Sequence, residues 1–160
     1  MTIAVNASLP DSPLHQKNDN GVENLTLASW ASGRKVVLFA VPGAFTPTCS
    51  AKHLPSFVDQ ADAILAKGVD AIGCMAVNDA FVMEAWGKAN DVGDKIAMLA
   101  DPEAVTSDAM GIAVVKTPVL GNMRAGRMAL IAEDGVVTHM FMEEPGAYEV
   151  SSAAHILKHL

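Results

Sequence analysis

Apolar and polar positions along this chain follow two rhythms. Residues 35–41 (KVVLFAV) are apolar after the lysine, as in a strand covered on both faces. The period then changes. Leu54, Phe57, Val58, Ala61, Ile64 and Leu65 recur at steps of three and four, which predicts an amphipathic helix from Cys49 that Gly68 ends. Pro55 lies inside it without an amide donor, so a bend is expected near its first turns. A second apolar run over 69–77 leads to Asn78-Asp79, which supply caps for a helix over "AFVMEAWGKAN". Residues 95–100 predict a third strand, and Asp101 a short capped helix with Pro102 at its first position and Gly111 at its end. Met128–Glu133 and Val136–Met142 flank Asp134-Gly135, a strong hairpin signal, and Ser151-Ser152 open a last helix, "AAHILKHL". The first 24 residues, rich in Asn, Asp, Ser and Pro, read as a loose arm or short hairpin leading to Leu25-Thr26-Leu27.

The order is strand, helix, strand, helix, strand, hairpin, helix. It predicts an α/β fold: a central mixed sheet flanked by helices, with parallel crossovers early and an antiparallel edge late. At 160 residues and 51% hydrophobic the chain suits one domain over 1–160 with a real core. A formal charge of -7 argues against nucleic acid as a partner, since phosphate binding needs clustered Lys and Arg. The start, Met1 to Asn6, lacks the basic and long apolar segments of a secretory signal, and no apolar run nears the roughly 20 residues that span a bilayer. The expectation is a cytoplasmic protein with no membrane partner.

Composition leaves two cysteines and five histidines to account for. Two cysteines do not make a disulfide scaffold, and no Cys/His cluster has zinc-ligand spacing, so neither metal nor cofactor is expected. His53 lies four residues after Cys49 and shares a helix face with it, or is a solvent-facing or hydrogen-bonded histidine. Cys49 itself closes "VPGAFTPTCS" (41–50), where a strand runs into a stiff turn. In open α/β sheets reactive groups collect at the carboxyl ends of strands. A free thiol titrates near about 8.5, and a helix N-terminus lowers that value because its unpaired amides and dipole favour an anion. Pro42 and Pro47 stiffen the approach, and Thr46 can turn its hydroxyl toward the thiolate or a bound oxygen. Spacing alone leaves two readings open: a reactive thiol, or a structural cysteine at a capped helix start with Thr46 as a turn residue.

The stretch Pro42-Gly43-Ala44-Phe45-Thr46-Pro47-Thr48-Cys49 resembles the active-site signature of the peroxiredoxins, and "VPGAFTPTCSAKHLPSF" resembles their type II, atypical two-cysteine branch. The likeness continues through "VNDAFVMEAW", "LADPE" and "RMALIAEDGVV". It implies a thioredoxin-like three-layer sandwich and a thiol-dependent peroxidase acting on hydrogen peroxide and organic hydroperoxides. Under it, Cys49 is the peroxidatic nucleophile, Thr46 bonds the peroxide and Pro42 shields the pocket. The family's distant arginine falls on Arg127, with Arg124 its competitor; Gly126 and Met128 stand where relatives often carry a polar or basic residue and an aromatic.

The sulfenic acid so formed needs a second thiol. Cys74, in "AIGCMAV", reads either as a buried small hydrophobe or, by the resemblance, as the resolving cysteine. Otherwise an external thiol, glutathione with glutaredoxin or thioredoxin, completes the cycle. The methionines sit at core spacing and read as packing. Phe45, Phe81 and Trp86 either fill the core or form an apolar patch for a homodimer. Two other functions keep the thiol: a cysteine hydrolase with His53 as base, and a redox sensor oxidised without turnover.

Overall fold

The computed structural model describes residues 1–115, 118–121 and 123–160. An N-terminal hairpin, β1 (Pro13–Asn18) and β2 (Gly21–Thr26), leads through a capping box on Thr26 into α1 (Leu27–Ala31). The chain continues as β3 (Lys35–Ala40), a π-helical turn (Cys49–His53) joined to α2 (Leu54–Leu65), β4 (Ala71–Ala76), α3 (Ala80–Ala89) and β5 (Ile96–Ala100). Then come α4 (Val105–Ala109), the short pair β6 (Ala113–Val115) and β7 (Met123–Ala125), the hairpin β8 (Met128–Glu133) and β9 (Val136–Met142), and α5 (Ala153–Leu157).

Seven strands form one mixed sheet in the order β2-β1-β5-β4-β3-β8-β9. Its centre, β3-β4-β5, is parallel, and β8 and β9 supply the antiparallel edge that the sequence predicts. The opposite edge is also antiparallel, because the N-terminal segment forms a hairpin that docks on β5 through His15 and Ala100. The apolar run of β3 shows no alternation because both faces are covered. Val37, Phe39 and Val41 enter the core under α2, α3 and α5, while Val36, Leu38 and Ala40 enter the core shared with α1. Phe39 stacks on Phe57 of α2 with ring centroids 3.9 Å apart. Both are fully buried, and truncating either to alanine costs about 3–5 kcal/mol.

Two elements depart from the pattern. The bend expected at Pro55 takes the form of a widened turn, in which the Leu54 N–H donates to the Cys49 carbonyl five residues back. The wider turn gives the proline ring room that a tight α-turn denies it. The short helix after Asp101 begins at Val105 rather than Pro102. Ala104 takes a left-handed φ of 59°, and the Asp101 carboxylate reaches past the turn to the N–H groups of Thr106 (3.1 Å) and Ser107 (2.8 Å). No helix among the described residues is long and apolar enough to cross a membrane.

Candidate active site

Strands β3, β8 and β9 end together: Ala40 faces Met128, which faces Met142. The residues just beyond these ends are therefore neighbours: Val41-Pro42 leaves β3, Arg127 enters β8, and Glu143 leaves β9. The Glu143 N–H donates to the Arg127 carbonyl at 3.0 Å. The loop that follows Pro42 is pinned from below, the Ala44 N–H donating to Asn78 Oδ1 at 2.9 Å. Gly43 lets the Arg124 guanidinium approach the loop, since a Cβ there would lie 2.9 Å from Arg124 Nη1 and displace it. The loop delivers Cys49, 1% exposed, to the first turn of the helical segment.

Arg127 Nη2 donates to Cys49 Sγ at 3.2 Å. Its Nη1 donates to His53 Nδ1 at 2.9 Å, and its guanidinium carbon lies 5.9 Å from the Tyr148 ring centroid. Arg124 is occupied elsewhere: it donates to the carbonyls of Leu120 (3.0 and 3.1 Å), Val77 (3.3 Å) and Pro42 (3.4 Å). Thr46 does not turn its proton to the sulfur; Oγ1 donates to the Gly43 carbonyl at 2.7 Å. Pro42, Thr46 and Arg127 line one cavity of about 630 Å³, walled on its apolar side by Val114, Val119 and Leu120.

Comparison with known proteins agrees with this geometry. The Redoxin family model matches residues 4–157. The chain is 47% identical to peroxiredoxin-2E-2, chloroplastic, of Oryza sativa subsp. japonica, over 99% of this chain and 73% of that protein. It is 42% identical to peroxiredoxin-2B of Arabidopsis thaliana, over 99% and 98%. It superposes on the crystal structure of reduced Prx3 in complex with H2O2 from Vibrio vulnificus with a TM-score of 0.95, at 45% identity and 99% coverage of both chains. The chain belongs to the redoxin family, among its peroxiredoxins. A peroxiredoxin is a thiol-dependent peroxidase, and the mixed sheet with flanking helices is the thioredoxin-like fold of these relatives.

The second cysteine of this peroxiredoxin, Cys74, lies mid-strand in β4 between Phe39 and Met98, fully buried and on the same face as Cys49. Burial, with the nearby Cys49 adding to it, pushes its thiol well above the usual cysteine value. His53 is buried and hydrogen-bonded, not solvent-facing. Its Nε2 meets the Ser151 carbonyl at 2.8 Å, so Nε2 carries the proton and Nδ1 accepts from Arg127. Burial, and then the positive charge of Arg127, outweigh the Ser151 bond and lower the His53 pKa to about 3. Both ring nitrogens are committed away from the sulfur, which removes the base that a cysteine hydrolase would need.

Trp86 belongs to the core, its indole N–H donating to Ser50 Oγ at 2.9 Å, whereas Phe45 and Phe81 are 58% and 63% exposed. Four residues of this peroxiredoxin's site stand apart from the sequence motif: Asn78, Trp86, Glu143 and Ser151. Asn78 reads as a cap from sequence, but Asp79 caps α3 and Asn78 holds the loop. Ser151 carries no local signal because its carbonyl meets His53, 98 residues back, and Glu143 carries none because its carboxylate gathers the backbone of an irregular loop, 149–151. His139, His155 and His159 gather around Phe141, yet no group of three or more metal-binding side chains is placed to hold a metal among the described residues.

Proposed function

We propose that Cys49 is the peroxidatic nucleophile of this peroxidase, served by Arg127, Thr46 and Pro42. The observation that carries the reading is the 3.2 Å approach of Arg127 Nη2 to Cys49 Sγ. The thiolate attacks one oxygen of the peroxide; an S–O bond forms, the O–O bond breaks, and the other oxygen leaves with the electron pair, takes a proton and departs as water or an alcohol. Negative charge moves from sulfur to the departing oxygen, and a guanidinium fixed beside the sulfur stabilises it at both ends of that path. Thr46, whose own proton goes to Gly43, keeps its lone pairs for the O–H of the incoming peroxide. Pro42 excludes water from the reacting sulfur. The apolar cavity wall suits organic hydroperoxides as well as hydrogen peroxide.

The resulting sulfenic acid condenses with a second thiol to a disulfide and releases water, and exchange of that disulfide with a further thiol frees Cys49. Disulfide geometry restricts Cα separations to about 4.4–6.8 Å, and Cys74 is fixed in a central strand, so for Cys74 to resolve Cys49 the π-helical turn must unwind. An external thiol must reach a sulfur that is 1% exposed, so it too requires this turn to open. Glutathione with glutaredoxin is the route that serves Cys49 directly, and thioredoxin the one that serves a Cys49–Cys74 disulfide. Two free cysteines suit a reducing compartment, the cytoplasm. The exposed Phe45, Phe81, Val115 and Val119 support a homodimer formed on the cavity side.

The test is peroxide turnover by wild type, Cys49→Ser and Cys74→Ser with each reductant system supplied separately. Cys49→Ser is expected to be inert, and turnover by it defeats the assignment. Cys74→Ser is expected to keep its turnover with glutathione and glutaredoxin and lose it with thioredoxin.

A further inference from the structure

We propose that Gly126 and Met142 together decide how large a hydroperoxide this site admits: with no side chain at 126, the Met142 thioether folds back against the backbone, and the room it leaves takes the carbon group of an alkyl or aryl hydroperoxide. The proposal rests on the reading of Cys49 and of the cavity given above, and names the residues that set the cavity's width.

Gly126 is buried one position before Arg127, its N–H donating to the Ile112 carbonyl at 2.7 Å. It does not take a left-handed φ, so backbone freedom is not what calls for a glycine there. Space is. A Cβ at 126 would collide with the terminal methyl of Met142 and lie 3.0 Å from the Ile112 carbonyl oxygen. The methyl therefore rests where any other residue at 126 would need its Cβ.

Both residues line the cavity that reaches Pro42, Thr46 and Arg127. Met142 pairs with Met128 at the end of the β8–β9 ladder, so its backbone is fixed and only its side chain can give way. An unbranched thioether with three rotatable bonds does so readily. Behind it lies the core that holds Met128 and Ala125, against which Met142 packs, and in front of it lies the cavity. A close-packed core accepts no extra volume, so a thioether displaced from Gly126 moves into the cavity. There it would stand across the apolar wall of Val114, Val119 and Leu120, against which a hydrocarbon group rests. Hydrogen peroxide carries no such group and needs none of this room.

The test is single-turnover oxidation of Cys49 in the reduced protein by hydrogen peroxide, tert-butyl hydroperoxide and cumene hydroperoxide, read as the ratio of each organic rate constant to that for hydrogen peroxide. Gly126→Ala is expected to lower the cumene hydroperoxide ratio by about tenfold or more, with tert-butyl hydroperoxide affected less. Anything the alanine does to the neighbouring Arg127 slows all three peroxides alike and leaves the ratios untouched. Adding Met142→Ala to Gly126→Ala should bring the ratio back to within about threefold of wild type. An unchanged ratio in Gly126→Ala, or a ratio that stays low once Met142 is truncated, overturns the proposal. Methyl NMR of the unmodified protein tests it even where a variant does not fold. Cumyl alcohol, the product left by cumene hydroperoxide, should shift the Met142 methyl resonance saturably, and a resonance that does not respond overturns the proposal. Turnover by Cys49→Ser would sink the reading beneath it instead, and would leave the response of the methyl to the alcohol unaltered.

Discussion

Arg124 and Arg127 lie three positions apart, yet one serves backbone oxygens and the other a sulfur. The difference follows from where each backbone sits: Arg124 is in β7, facing the ends of β3 and β4, and Arg127 precedes β8, beside the helix that begins near Cys49. Their substitutions should therefore separate. Arg127→Gln should lower the rate of peroxide reduction by about 100-fold, because a preorganised charge is lost where charge develops. Arg124→Gln should lower stability by about 1–3 kcal/mol in urea unfolding, because several carbonyls lose a charged donor. Stopped-flow oxidation and equilibrium unfolding of the two proteins check the pair. The proposed set of Cys49, Thr46, Pro42 and Arg127 is legible in one motif and, through the family resemblance, in one strand start. The contacts of His53 are not, since they lie 98 and 74 residues away, and neither is the Glu143 carboxylate, which gathers the N–H groups of a loop without a period.

At the scale of elements, Asp101 shows a carboxylate organising a helix at a distance. It is 1% exposed and accepts from Thr106 N, Ser107 N and Ser107 Oγ. Asp101→Ala strips α4 of these acceptors and should cost about 2–3 kcal/mol, read as a lower urea midpoint with an unchanged slope. The strands β3, β4, β5 and β8 are legible because each is an apolar run bounded by turn residues, and β9 because Asp134 and Gly135 take the left-handed φ values (48° and 76°) that its hairpin with β8 needs. The pair β6 and β7 has no signature in the sequence: three residues each, only partly buried, leave no period to count. The π-helical turn was invisible for another reason. Apolar steps of three and four describe the face a helix buries, not how many residues one turn contains, and only Pro55 hinted at the strain.

For the molecule as a whole, the same contacts set its response to acid. His53 stays neutral in the folded state down to about pH 3, whereas an unfolded chain protonates it near its ordinary value of 6.5. Between those values the unfolded state binds one more proton, so stability declines as pH falls, by roughly 1.4 kcal/mol per pH unit. Glu143 acts further down. Burial raises its carboxyl, but the bonds from Ser151, Glu149 and Val150 prevail and leave it below the usual value of 4.5. Its contribution is present above that value and lost as pH falls through the depressed one. Urea midpoints measured from pH 7 to about pH 5 should drop for wild type and stay flatter for His53→Leu.

The pairing of β3 with β8 sets Arg127 one residue before the partner of Ala40. A slip of a single residue between these strands would carry the guanidinium about 3.4 Å along the sheet and exchange its faces. Such a chain would still show helices, strands and a compact volume while presenting a sulfur with no cation beside it. Catalytic output per mole of thiol is therefore a sharper gauge of correct assembly than any spectrum of secondary structure.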